Sequence, residues 1–134
     1  MSNRGQWEAG ETEIDALIYR VIGCCIAVHR ELGPGFLEGV YHRALELELA
    51  AQSIQFASEV EIELDYRGQI IGTHRLDLLI ENLLILELKT VDERHKKHYA
   101  QVRSYLKAAG KPIGLLVNFS EYQLDPRRVE ARPT

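Results

Sequence analysis

With 134 residues, 46% of them hydrophobic, and a net charge of −4, the chain can bury one sizeable core and needs neither disulfides nor structural zinc to hold it. No apolar run reaches the roughly 18 residues that a membrane span requires, and the acid excess argues against a general binder of nucleic acid. Cys24 and Cys25 are adjacent, and beside a polar start without a secretory pattern they read as reduced thiols in a cytoplasmic protein.

Thr12-x-x-Asp15 has the form of a capping box. Ile14, Leu17, Ile18, Val21, Ile22, Cys25, Val28 and Leu32 then recur at three- and four-residue spacing, which predicts a long amphipathic helix ended by Gly33-Pro34-Gly35. A second helix is expected from Phe36 or Leu37 to about Gln52. It would set Glu38 in its first turn, at the positive end of the helix dipole.

From Ser58 to Tyr66, acids alternate with Val60, Ile62, Leu64 and Tyr66, the pattern of a strand with one wet face. Arg67-Gly68 turns it into a second strand over about Ile70 to Ile80, and Leu83 to Lys89 forms a third. His95 to Ala109 reads as a helix with Gly110 as its stop, followed by a short apolar strand from Ile113 to Asn118. That order implies a right-handed parallel crossover onto the third strand. After Phe119 a short strand or disorder is expected. The whole chain, 1–134, reads as one domain with its core over about 13–119 and residues 1–11 and 120–134 peripheral.

Three charges stand against the apolar gradient of LDLLIENLLILELKT: Asp77, Glu87 and Lys89. A three-residue loop at Glu81-Asn82-Leu83 would set Asp77 opposite Glu87 and Arg75 opposite Lys89, with Asp77, Glu87 and Lys89 on one face; a two-residue loop would turn them apart. Two opposed carboxylates repel unless a cation lies between them or one holds a proton. Oxygen ligands on strands suit Mg²⁺ or Mn²⁺ better than zinc. Charge is unevenly spread. Residues 1–65 carry 4 Lys/Arg against 12 Asp/Glu, while residues 66–134 carry 12 against 8. Arg94, Lys96, Lys97, Arg103, Lys107 and Lys111 concentrate the positive part in a segment that could steer a polyanion, although on charge alone a solvated helix face is the simpler reading.

An α-α-β-β-β-α-β order with an acid on the second strand and Glu87-Leu88-Lys89 on the third resembles the PD-(D/E)XK (restriction-endonuclease-like) core, an α/β fold with a mixed sheet flanked by helices. Gly35-Phe36-Leu37-Glu38-Gly39-Val40-Tyr41 resembles the signature of the GxxExxY family within that superfamily, and Gln101-Val102-Arg103-Ser104-Tyr105 resembles the QxxxY motif of RecB-like nucleases. The resemblance covers roughly Ile14 to Phe119. It implies a metal-dependent phosphodiesterase acting on nucleic acid, with DNA favoured over RNA, no membrane partner and a homodimer allowed. In that reading Asp77, Glu87 and the Leu88 carbonyl hold Mg²⁺ or Mn²⁺, with Glu38 as an outer or additional ligand. Lys89 orients or deprotonates the attacking water, and Gln101 and Tyr105 position a phosphate or the water.

Each residue also has a plainer reading. Asp77, Glu87 and Lys89 could form a salt bridge at a strand edge, Glu38 a helix-start carboxylate, and Gln101 and Tyr105 an ordinary buried amide and phenol. Tyr41, His29, His42 and His74 read as packing or structural residues, Cys24 and Cys25 as small core residues, and His95 and His98 as an exposed basic turn. The alternative function is a non-catalytic module that binds nucleic acid or protein on a nuclease scaffold.

Overall fold

The computed structural model describes the backbone over residues 3–131 and side chains over residues 13–131. Helices α1 (Asn3–Leu32) and α2 (Glu38–Ala51) precede strands β1 (Phe56–Tyr66), β2 (Gln69–Ile80) and β3 (Leu84–Lys89). Helix α3 (Lys96–Ala109) and strands β4 (Ile113–Asn118) and β5 (Arg127–Glu130) complete the chain. The expected start at Thr12 is not a terminus, because α1 is already helical from Asn3; the Thr12 side chain lies outside the described residues.

One five-stranded sheet runs in the order β1-β2-β3-β4-β5. All neighbours are antiparallel except β3 and β4, which are parallel as α3 requires for a crossover. Helices α1 and α2 cover one face through Val21, Cys25, Tyr41, Leu45 and Leu49, and α3 covers the other through Val102, Tyr105 and Leu106. Strands β3 and β4 are buried on both faces, hence their unbroken apolar runs. Gly114 on β4 is where α3 comes closest: a Cβ there would lie 2.8 Å from a Val102 methyl and 3.2 Å from the Ile85 carbonyl oxygen. The tail adds β5, which pairs with β4.

Two local features shape the region where the charged residues lie. The β2–β3 turn has the three-residue form, with Glu81 and Asn82 at positive φ, and gives the register Ile80↔Leu84, Leu79↔Ile85 and Leu78↔Leu86. Pairing stops there. Arg75 and Lys89 are therefore not partners; Arg75 lies opposite Glu61 and 4.0 Å from Glu59. The second feature is a break in the pleat. On β2, Leu76 packs on the α3 side while Leu78 and Ile80 pack on the α1/α2 side, although strict alternation would keep all three together. On β1, Phe56 and Val60 change sides in the same way. Between them Glu59 has φ 53°, and the β1–β2 register passes from Ser58↔Leu78 to Val60↔Leu76 without pairing Glu59 and Asp77. A non-glycine residue in the left-handed region stores about 1–3 kcal/mol of strain, here directly beside Asp77.

Candidate active site

Beyond Leu78↔Leu86 the strands β2 and β3 part, and a side chain completes what the ladder leaves open. The Leu88 N–H donates to Asp77 Oδ2 at 2.8 Å. Leu79 and Ile85 both pack on the α3 side, so alternation along β3 sets Glu87 and Lys89 on that face, while Asp77 lies at the pleat break itself and turns its carboxylate to the Leu88 N–H between the strands. The Lys89 ammonium donates to Gln101 Oε1 on α3 at 3.0 Å, which ties the third strand to the helix above it.

Glu87 is 4% exposed, and among the described residues its Oε1 has no hydrogen-bond partner. Burial raises its pKa strongly; the neighbouring Asp77 carboxyl adds to the rise, and Lys89 offsets part of it. Tyr105 is 7% exposed, and burial, reinforced by Glu87 and Asp77, pushes its phenol up to about 12. The hydroxyl therefore stays a proton donor across the physiological range. Glu38 lies in the first turn of α2, where desolvation and then Asp77 raise its pKa against the pull of Lys89 and His42.

His74 was missed by sequence reasoning as a site residue. Its ring stacks on Tyr105 with centroids 3.7 Å apart and planes 17° from parallel. Burial lowers its pKa, Asp77 pulls it upward and Lys89 downward, so it shares the field of the same charges. No motif marks it, because it lies on β2 three residues before Asp77 and meets Tyr105 only through the fold. His98 also differs from expectation. It is buried, and its Nδ1 accepts the His95 N–H at 3.1 Å at the start of α3, so it closes the helix end.

The basic segment is thinner than its composition. Arg94 is engaged by Glu121 at 3.3 Å and Asp125 at 3.1 Å, and the Lys111 ammonium donates to the Asn82 carbonyl at 3.0 Å. Lys96, Lys97 and Lys107 are exposed and Arg103 is half-buried.

Tyr41 explains the spacing between Gly35 and Glu38. Its hydroxyl donates to the Gly33 carbonyl at 2.6 Å and accepts the Phe36 N–H at 3.1 Å, while its ring stacks on Phe119 at 4.7 Å. It thus latches the turn that delivers Glu38 to the start of α2, and Gly33 supplies the positive φ (69°) that ends α1. Tyr41→Phe keeps the ring and removes both bonds, leaving the half-buried Gly33 carbonyl without that donor and the Phe36 N–H without that acceptor. It is expected to lower the unfolding free energy by roughly 1–3 kcal/mol, read as a lower urea midpoint at unchanged slope.

The residues present fit a divalent cation: two adjacent carboxylates, one buried with an orphaned oxygen, would each gain from a positive charge between them. Among the described residues no group of three or more His, Cys, Asp or Glu side chains stands at metal-holding spacing. A cation on Asp77 and Glu87 would therefore complete its shell with carbonyl and water oxygens.

A mixed sheet sandwiched by helices, with an acid where two strands part and Glu-x-Lys on the next strand, defines the class of nuclease-like α/β folds. The chain belongs to the PD-(D/E)XK nuclease superfamily, whose family model matches residues 15–129. No curated protein matches the sequence. A solved structure, "Crystal structure of SSO0001", superposes with a TM-score of 0.55 at 21% identity, over 72% of this chain and 50% of that one. The likeness is one of fold, and the chain spans half the length of that protein.

Proposed function

We propose that the protein is a Mg²⁺- or Mn²⁺-dependent phosphodiesterase of the GxxExxY branch that cleaves nucleic acid, DNA in preference to RNA. The observation that carries this is the pairing of Asp77 with a buried Glu87 whose Oε1 is unsatisfied, next to a lysine held by Gln101. Asp77, Glu87 and the Leu88 carbonyl would hold the cation, with Glu38 reaching its outer side. When bound, the cation neutralises the carboxylate pair and the charge that builds on the phosphate.

The chain's own groups do the rest. Lys89, pinned by Gln101 Oε1, presents its remaining N–H donors to the attacking water and the phosphate. Tyr105, kept protonated, donates its O–H to a phosphate oxygen, and the stacked His74 holds its ring in place. Lys96, Lys97, Arg103 and Lys107 on α3 offer the phosphate backbone a positive approach. Buried free thiols at Cys24 and Cys25 fit a reducing, cytoplasmic setting.

Single- and double-stranded DNA and RNA incubated with the purified chain and either cation form the test. Cleavage that stops with chelator is expected, together with saturable cation binding by calorimetry that is lost in Glu87→Ala. No cleavage of any substrate with either cation overturns the enzyme. Nucleic-acid or protein binding without cation binding would then point to a non-catalytic module.

A further inference from the structure

Helix α1 carries a second apolar stripe that the fold uses only at its edge, where Ile22 packs against the core. Tyr19 is 72% exposed and Ile26 37% exposed, with Ile22 half-buried between them. They edge a groove of about 420 Å³ that has Asp15 and Arg128 at one end. Gly23 lies in the same stripe, exposed, and a Cβ there would meet nothing within 4 Å. A glycine inside a helix costs about 1 kcal/mol relative to alanine. Among the described residues, nothing requires Gly23 to be small.

At 100° per residue, Asp15, Tyr19, Ile22, Gly23, Ile26 and Arg30 fall within one arc of about 100°. Their order is self-complementary. If a second copy lies antiparallel across a twofold axis between Ile22 and Gly23, Ile22 of one chain fills the space over Gly23 of the other. The same axis sets Tyr19 against Ile26, and Asp15 against Arg30, twice each. Asp15 and Arg30 are both exposed, and Asp15 is already paired to Arg128, so in the dimer it would lie between two arginines. The long edge strand of the sheet offers no such match: β1 lines up Glu59, Glu61, Glu63 and Asp65, which would repel their own copies.

We propose that the protein forms an antiparallel homodimer through this face of α1, centred on Gly23. The interface covers only one helix face, at the low end of specific interfaces at roughly 1,000 Å² in total, so a micromolar dissociation constant is expected. Because α1 packs on the sheet face opposite α3, the α3 side of the sheet remains uncovered.

Sedimentation equilibrium of the full chain from about 1 to 200 μM tests it, with circular dichroism confirming each variant's fold. The expected mass rises toward twice the 15.3 kDa chain. Arg30→Glu is expected to weaken dimerisation at least tenfold, and adding Asp15→Arg together with Arg128→Glu, so that position 15 again lies between two opposite charges, to restore it. A single-chain mass throughout, or a constant that Arg30→Glu and Ile26→Glu leave unchanged, overturns the proposal. As a measurement independent of those variants, Gly23→Cys should cross-link into a disulfide dimer under mild oxidation, whereas Glu31→Cys should not. Cys24 and Cys25 are buried, and burial raises both thiols, so they stay silent. Equal cross-linking at both positions, or none at position 23, also overturns it.

Discussion

Asp77→Asn is expected to lower the single-turnover cleavage rate by about 10³-fold or more while leaving the fold intact. Asparagine is the informative substitution because Asp77 has two roles. Its Oδ2 accepts the Leu88 N–H, which the β2–β3 ladder no longer pairs, and an amide oxygen can keep that bond. What asparagine removes is the negative charge beside Glu87. Asp77→Ala would remove both, adding about 1–3 kcal/mol of instability from an unpartnered N–H and confusing loss of chemistry with loss of structure. Lys89→Met should give a comparable fall in rate, since it keeps the stem but withdraws the ammonium from Gln101 Oε1 and from the phosphate. Lys89→Arg should not rescue it, because a planar fork cannot replace a point donor at that one contact. If either Asp77→Asn or Lys89→Met cleaves at the wild-type rate with unchanged circular dichroism, the roles given to them fail.

The sequence carried these residues further than it carried their surroundings. Alternation over Ser58 to Tyr66 and the apolar runs of β3 and β4 announced the strands. Glu81-Asn82-Leu83 fixed the register of the paired residues, Ile80↔Leu84 to Leu78↔Leu86, because a turn of given length leaves the pairing no freedom, but the ladder ends one step before Asp77 and Glu87. The pleat break was not legible. A glutamate at positive φ has no local signature, and its cause lies in how β1 and β2 must divide their apolar residues between two helical layers. Composition also overstated the basic patch, since it cannot show that Arg94 and Lys111 are engaged in holding turns. His74 stayed hidden for a related reason: stacking on Tyr105 joins residues 31 positions apart that no periodicity links. Motif resemblance picked out the candidate charged groups, whereas the groups packed around them emerged only from the fold.

Glu87→Gln should make the cation-free protein more stable at alkaline pH, an effect that does not depend on catalysis. In the folded chain the Glu87 carboxyl is buried against Asp77, and both burial and that neighbour hold its pKa above the unfolded value. Between the two values the folded state binds more protons than the unfolded state, so stability must fall as pH rises. Below the ordinary carboxylate range both states are protonated, and the term vanishes. In chelator, the wild-type melting temperature should therefore drop from pH 5 to pH 9 relative to Glu87→Gln, whose amide cannot ionise. A difference of 1–2 kcal/mol would separate the curves by about 3–8 °C for a chain of this length. Added Mg²⁺ or Mn²⁺ should reverse the wild-type loss, and more strongly at pH 8 than at pH 6, because the site takes a cation only as its ligands shed protons. Glu87→Gln should show little of that response. Parallel melting curves for the two proteins in chelator across this range would mean that Glu87 is not the strained carboxyl. An equal response of both to the cation would move the binding site elsewhere. The same buried charge that burdens the cation-free fold is what would draw the ion in, so one substitution at position 87 should act in opposite directions on stability and on binding.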